Sequence, residues 1–331
     1  MKPFDVALTR MYQRTALDQL PAHLNETYGI DVSGTEQLDV GVFRVDRRDG
    51  QPWVARVFSS LRPHEAAVGD AAVLAHVASH GYPAERLAAD EPVSTLDGQA
   101  VLVTEFLTQA KKRKLEPDVY QRLGRNLGRL HSLPLPRPRT PAARPAGALH
   151  HFAEGSRTDE LEAAKRWLDQ FAENPEIDAR ALDALRAALD EADGGDGLPR
   201  AVIHPDPVPK NMVRADDANS EGWTLVDWTG AGVGPRIVSL EWLLASERAA
   251  PGVTEGYLEC IALADEEWER LPAIAFGRQV IGLCFRLAFA PARAPSIAKR
   301  ISAVRRQTKK TAAAAEAATA HSNQIGAVNA L

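Results

Sequence analysis

The sequence predicts an α+β fold in which a β-rich N-terminal part precedes a mainly helical remainder. Three observations carry this expectation. Runs of β-branched and aromatic residues at 40–58 and 100–107 dominate the first hundred positions. Apolar residues at three- to four-residue steps dominate beyond residue 119. A second β patch, 201–227, interrupts those helices.

In chain order, Leu17, Leu20, Leu24 and Tyr28 fall at helical spacing and predict an opening helix. Val40, Val42, Phe43 and Val45 lead into Asp49-Gly50, and Trp53 to Phe58 returns from it, a hairpin pattern. From Pro63 to His80 the pattern is helical, with Ala67, Ala71, Leu74 and Val77 on one stripe, and Gly81 and Pro83 stop it. Ala100 to Leu107 reads as a strand running into a polar segment, Lys111 to Lys114. Tyr120, Leu123, Leu127 and Leu130 mark the next helix, and the Pro/Arg-rich stretch from Pro134 to Pro145 reads as an exposed linker. Residues 151–196 hold 13 Asp/Glu against 5 Lys/Arg and read as amphipathic helices ending at Gly194-Gly195. Three short β runs follow, at 201–203, 212–214 and 223–227, before helices resume near Leu240. The end, from Arg305, is basic and then Ala-rich, and reads as a frayed helix or mobile tail. Trp228 is expected against the 212–227 hairpin, and Trp167, Trp242 and Trp268 in the helical core.

Composition excludes several classes. The 331 residues are 45% hydrophobic and 25% charged, as in ordinary globular chains, and the net charge of −5 offers no general attraction to nucleic acid. Two cysteines, Cys260 and Cys284, are too few for a disulfide scaffold and lie in no metal-ligand spacing. Lys2, Asp5 and Arg10 leave no apolar stretch for a secretory signal, and Arg278 and Arg286 interrupt the most apolar segment, 273–292. The expectation is a cytoplasmic protein with no nucleic-acid or membrane partner.

One stretch carries chemistry: His204-Pro205-Asp206-Pro207-Val208-Pro209-Lys210-Asn211, followed sixteen positions after Asn211 by Asp227. Pairing of 212–215 with 223–226 over a loop at 216–222 would leave Asn211 and Asp227 side by side at the open end of a hairpin. An amide oxygen and a carboxylate there are hard ligands of the kind Mg²⁺ takes together with phosphate oxygens. The three prolines fix φ around Asp206 and limit its freedom.

His-x-Asp-x-x-x-x-Asn followed by an Asp after a strand resembles the catalytic and metal-binding loops of kinase-fold phosphotransferases. Asp227-Trp228, the helix 122–131, the helix around Asp70 and Val101 to Leu107, in this order, resemble the aminoglycoside phosphotransferase and choline-kinase-like family of small-molecule kinases. The resemblance implies a two-lobed, protein-kinase-like fold. Its N-lobe would span 1–103, its hinge 104–110 and its helical C-lobe, with the catalytic loop and metal hairpin, 111–304, leaving 305–331 as a tail.

By the same resemblance, Asp206 would orient the acceptor hydroxyl toward the γ-phosphorus, and Asn211 and Asp227 would hold Mg²⁺ against the phosphates of ATP or GTP. Arg56 would bind the α/β-phosphates and pair with Asp70, and the backbone at Glu105, Phe106 and Leu107 would hold the adenine. Positioning and charge neutralisation are what a loose phosphoryl-transfer transition state needs. The sequence departs from the family at Pro205, where Gly is usual, at Ser239, where Asp is usual, and in a phosphate loop with only Gly34 and Gly41. Those departures leave a second reading open, a kinase-fold nucleotide-binding regulator or scaffold without turnover. The acceptor would be a small-molecule alcohol. The acidic 151–196 segment is either a solvated face or one wall of a site for a cationic acceptor such as an amino sugar or amino alcohol. Thr229 to Pro235 imitates a dinucleotide glycine run, but reads as the flexible segment after the metal Asp.

Overall fold

The structure is a computed structural model that describes residues 13–108, 118–147, 155–175, 177–214, 223–244, 246, 248–289, 296–310 and 313. The polar segment 111–114, the 216–222 loop and almost all of 311–331 therefore lie outside the described residues. The chain divides into two compact units, one of 1–112, 135–154 and 210–232, the other of 113–134, 155–209 and 233–331.

In the first unit, helix α1 (Leu20–Tyr28) begins with Pro21 in its first turn and ends at Gly29, whose φ of 63° a side chain would resist. It covers an antiparallel sheet of order β1-β2-β3-β5-β4: β1 Val32–Asp39, β2 Val42–Arg47, β3 Trp53–Val57, β4 Val93–Leu96 and β5 Gln99–Glu105. Leu20 and Leu24 from the helix meet Val45, Ala55, Val57, Val101 and Val103 from the sheet in one apolar core. Burying each of the larger side chains contributes roughly 1.5–3 kcal/mol. Strand β3 alternates cleanly, sending Trp53, Ala55 and Val57 inward and Arg56 to the other face. Strands β1 and β4 went unread in the sequence because β1 is exposed along most of its length and β4 has only four residues.

Helix α2 (His64–Ser79) buries the expected stripe of Ala67, Ala71, Leu74 and Val77. Beside it runs the stretch read from sequence as an exposed linker. That reading is corrected: Ala142, Arg144 and Ala146 are buried. Arg144 donates to the carbonyls of Ala66 (2.5 Å) and Ala231 (2.8 Å) and to Asp70, so its charge is satisfied away from water.

The second unit is mostly helical: α3 Val119–His131, α4 Arg157–Phe171, α5 Ala179–Asp190, α6 Arg236–Leu244, α7 Ala250–Leu258, α8 Asp265–Phe289, and α9 over 296–310. Helices α3 and α7 meet backbone to backbone. A Cβ on Gly124 would collide with the Val253 carbonyl, and one on Gly256 with that of Gln121. Ser156 and Asp159 form a capping box at the start of α4. The acidic α4 and α5 are amphipathic as expected, burying Leu161, Leu168, Leu182 and Leu185. Arg157 bridges Glu160 and Glu241 inside this unit. Arg305 reaches Glu191 at 2.7 Å and stacks over Phe276, tying α9 down beyond the point where the tail was expected to begin.

Two further expectations are corrected. Gly232–Pro235 is not a flexible segment but strand β9, paired with β6 (Arg200–Ile203) and buried over Gly232 to Gly234. Trp242 is 52% exposed rather than in the core, because α6 turns its Leu240, Leu243 and Leu244 inward instead. No helix among the described residues is long and apolar enough to cross a membrane.

Candidate active site

Strands β7 (Met212–Arg214) and β8 (Trp223–Leu225) pair antiparallel, with Met212 opposite Leu225. The Val226 N–H donates to the Asn211 carbonyl at 2.9 Å, which brings Asn211 and Asp227 out of the open end together. The hairpin belongs to the first unit. Its β8 runs alongside Pro83–Glu85, with the Leu225 N–H donating to the Pro83 carbonyl and the Glu85 N–H to the Leu225 carbonyl. Trp228 is buried and its Nε1–H donates to the Leu225 carbonyl at 2.8 Å, as a brace under the hairpin.

Asp227 takes φ 67°, a left-handed conformation that costs a non-glycine residue about 1–2 kcal/mol. Surrounding bonds hold it there. Glu85 Oε1 accepts the N–H groups of Asp227 (3.1 Å) and Trp228 (3.4 Å), and Glu85 Oε2 accepts the Thr104 hydroxyl (3.2 Å). Burial pushes the Glu85 carboxyl above its ordinary pKa; Arg56 opposes that and Asp227 adds to it.

Arg56 Nη1 lies 3.0 Å from Asp227 Oδ1. Burial works against its charge, but Asp227, Glu85, Asp70 and Asp39 outweigh it and hold the guanidinium above its usual pKa. The expected Arg56–Asp70 ion pair is not formed. Asp70, fully buried on α2, is taken by Arg62 (2.7 Å), by Arg144 and by the Gly230 N–H (2.9 Å). Arg144 and the Gly230 N–H donate to Oδ1, while Oδ2 faces Arg62 as an ion pair without a hydrogen bond among the described residues. Glu85 and Arg144 escaped the sequence reading because neither sits in a periodic or spaced motif; an acid between prolines and strands was the only available cue.

At the edge of β5, the Glu105 N–H donates to the Arg86 carbonyl (2.8 Å) and the Phe106 N–H to that of Pro52 (3.0 Å). Among the described residues the Leu107 N–H donates to no backbone carbonyl. Phe106 is covered by the Arg44 guanidinium, 4.8 Å from its ring centre.

Asp206 belongs to the second unit, four residues before the chain enters the first at Lys210. Within that unit its N–H donates to His204 Nδ1 at 3.2 Å, which places the His204 proton on Nε2. The His204 carbonyl accepts the Ser239 hydroxyl at 3.1 Å, and His204 is wholly buried. Ser239, a departure from the family pattern, is thus a support of this loop.

Asn211 and Asp227 offer two hard oxygen donors at one hairpin end, a donor set that fits Mg²⁺ completed by phosphate and water. Among the described residues no three His, Cys, Asp or Glu side chains gather as a protein-only metal cage, so further ligands would come from the nucleotide and water.

Residues 35–274, well over half of the chain, match the phosphotransferase enzyme family APH. The chain belongs to this family. That family is one of phosphotransferase enzymes. No functionally curated protein matches its sequence. Among solved structures it is similar to an aminoglycoside phosphotransferase from Alicyclobacillus acidocaldarius, at 15% identity over 93% of this chain and 98% of that one, TM-score 0.58. It is similar to the macrolide 2'-phosphotransferase MphH from Brachybacterium faecium, at 19% identity over 86% and 98%, TM-score 0.54. An amicoumacin kinase solved with AMP-PNP and Ca²⁺ matches at 13% identity over 92% and 96%, TM-score 0.61. These likenesses establish the protein-kinase-like fold that the sequence predicted.

Proposed function

We propose that this APH-family protein transfers the γ-phosphoryl group of ATP to a hydroxyl of a small, cationic acceptor such as an amino sugar or amino alcohol. The observation that carries the reading is the hairpin end presenting Asn211 and Asp227, with Arg56 on Asp227. In this reading Asp206 accepts a hydrogen bond from the acceptor hydroxyl and turns its oxygen toward the phosphorus. The hydroxyl oxygen forms the new P–O bond as the bond to the β-phosphate oxygen breaks, and the hydroxyl proton passes to the Asp206 carboxylate. Asn211 and Asp227 would hold Mg²⁺, which withdraws charge from the transferring phosphate. Arg56 neutralises the remaining phosphate charge, and the Leu107 N–H binds the base. Thirteen acidic residues in 151–196 supply the field that would favour a cationic acceptor. In this reading the reaction takes place in the cytoplasm, where ATP is supplied.

The test is ADP release across a panel of hydroxylated amines. Asp206→Asn should abolish turnover, by at least about a hundredfold, and leave ATP affinity near wild type. Full turnover by that variant refutes the role of Asp206. A second reading, nucleotide binding without transfer, is favoured by the β1–β2 turn, which exposes Leu38 and Val40 where a glycine-rich loop would offer N–H groups. Tight Mg·ATP binding with no acceptor turned over would select it.

A further inference from the structure

Glu85, a residue outside every expected motif, lies against the main chain of Asp227. Glu85 is 7% exposed, and its carboxylate is aimed at the two peptide N–H groups flanking the left-handed Asp227 Cα. It is itself locked from both sides. Thr104 on β5 holds its second oxygen, and the exchange of backbone bonds between Pro83–Glu85 and Leu225 fixes its Cα against β8. The acid that the sequence pattern assigns to this neighbourhood, Asp70, is committed elsewhere, to Arg62, Arg144 and Gly230.

We propose that Glu85 is a positioning residue of the phosphoryl-transfer site: it holds the Asp227 main chain in the conformation from which the side chain would ligate metal. The proposal rests on the reading of Asp227 as a metal ligand. Its mechanism is ordinary. A ligating carboxylate that must adopt a costly backbone conformation binds metal well only when its surroundings over-determine that conformation. Partners one step removed from the ligand typically govern metal affinity by about 10–100-fold. Glu85 is the side chain that accepts both amides of this turn.

The experiment measures the affinity of the full-length protein for ATP by calorimetry, with and without Mg²⁺, so that the gain due to metal is separated from nucleotide binding. Glu85→Ala and Glu85→Asp, which remove or withdraw the acceptor oxygen, should reduce the Mg²⁺-dependent gain about tenfold while metal-free ATP binds as in wild type. Glu85→Gln keeps an amide oxygen for the two N–H groups and lets Thr104 turn to accept, so it should restore most of the gain. Equal gains in wild type, Glu85→Ala and Glu85→Asp overturn the proposal, as does a parallel loss of metal-free ATP binding, the mark of a merely structural residue. Should Glu85→Ala fail to fold by circular dichroism, Glu85→Asp and Thr104→Val, which releases Oε2, decide on the same readout. Asp227→Asn runs alongside: if it retains the full Mg²⁺ gain, the metal reading of Asp227 is what fails, independently of Glu85.

Discussion

Arg56 and Asp227 form an ion pair of 3.0 Å between strand β3 and the residue that ends the β7–β8 hairpin. The guanidinium therefore pairs with the carboxylate that we propose as a metal ligand instead of with a helix acid. In the proposed function a triphosphate would compete with Asp227 for the same fork of N–H donors.

Arg56→Ala should raise the KM for ATP at least about tenfold, since a charged hydrogen bond to phosphate contributes on the order of 1.5–3 kcal/mol. Arg56→Lys keeps the charge but loses the planar fork, and should fall between the two. Steady-state kinetics with ATP varied at saturating acceptor checks this; an unchanged KM removes Arg56 from the phosphate site.

Asp70 makes the opposite kind of contribution. Its carboxylate is fully buried and neutralises Arg62 and Arg144 while fixing Gly230, so Asp70→Ala strands two guanidiniums in a site closed to water. Breaking a buried pair from one side costs about 3–5 kcal/mol. Urea unfolding should show that loss in Asp70→Ala, and a smaller one in Asp70→Asn, which keeps an acceptor for the Gly230 N–H. A loss of ATP affinity with unaltered stability would return Asp70 to the nucleotide site.

What the sequence made legible follows from how each signal is written. The hairpin end at Asn211 and Asp227 could be placed because two β runs bracket a loop, and the α2 stripe because its apolar spacing is regular. The Arg56–Asp70 pair, implied by the family resemblance, is not formed because a resemblance carries over residue types but not the competing partners, here Arg62 and Arg144 on Asp70 and Asp227 on Arg56. Arg144 was invisible for a related reason: a Pro/Arg-rich stretch looks solvated until three acceptors are found to converge on one guanidinium. Strand β9 was lost because Gly232-Val233-Gly234 carries too little side chain to show an alternation, although all three are buried.

His131 supplies an acid-sensitive point in the helical unit. It lies buried on α3, its Nδ1 2.8 Å from the Tyr257 hydroxyl and its Nε2 without a hydrogen-bond partner among the described residues. Burial, with a smaller push from Arg236, lowers its pKa from 6.5 to about 3. The folded state thus favours the neutral ring, so the contribution is complete above pH 6.5 and is lost as pH falls from there toward 3. The loss over the full window is on the order of 4 kcal/mol. His131→Gln keeps a partner for Tyr257 but does not titrate, and the stability-versus-pH curve should flatten between pH 6.5 and 4. An identical slope in both proteins would show that the proton is taken up elsewhere.

Glu241 has the opposite sign. On α6 it shares Arg157 with Glu160, and its Oε2 accepts no hydrogen bond among the described residues. Burial raises its pKa to about 7, against the pull of Arg157 and Arg278. A carboxyl raised on folding contributes stability that is whole below its unfolded value of 4.5 and is lost as pH rises through 7. Ionising it in place costs on the order of 3 kcal/mol by pH 8. Glu241→Gln removes that titration and leaves Arg157 its pairing with Glu160, so the variant should gain on wild type between pH 5 and pH 8. Chemical denaturation at the two pH values measures the difference directly. A gap that stays constant would mean that Glu241 is already ionised at pH 5, with Arg157 and Arg278 together outweighing its burial.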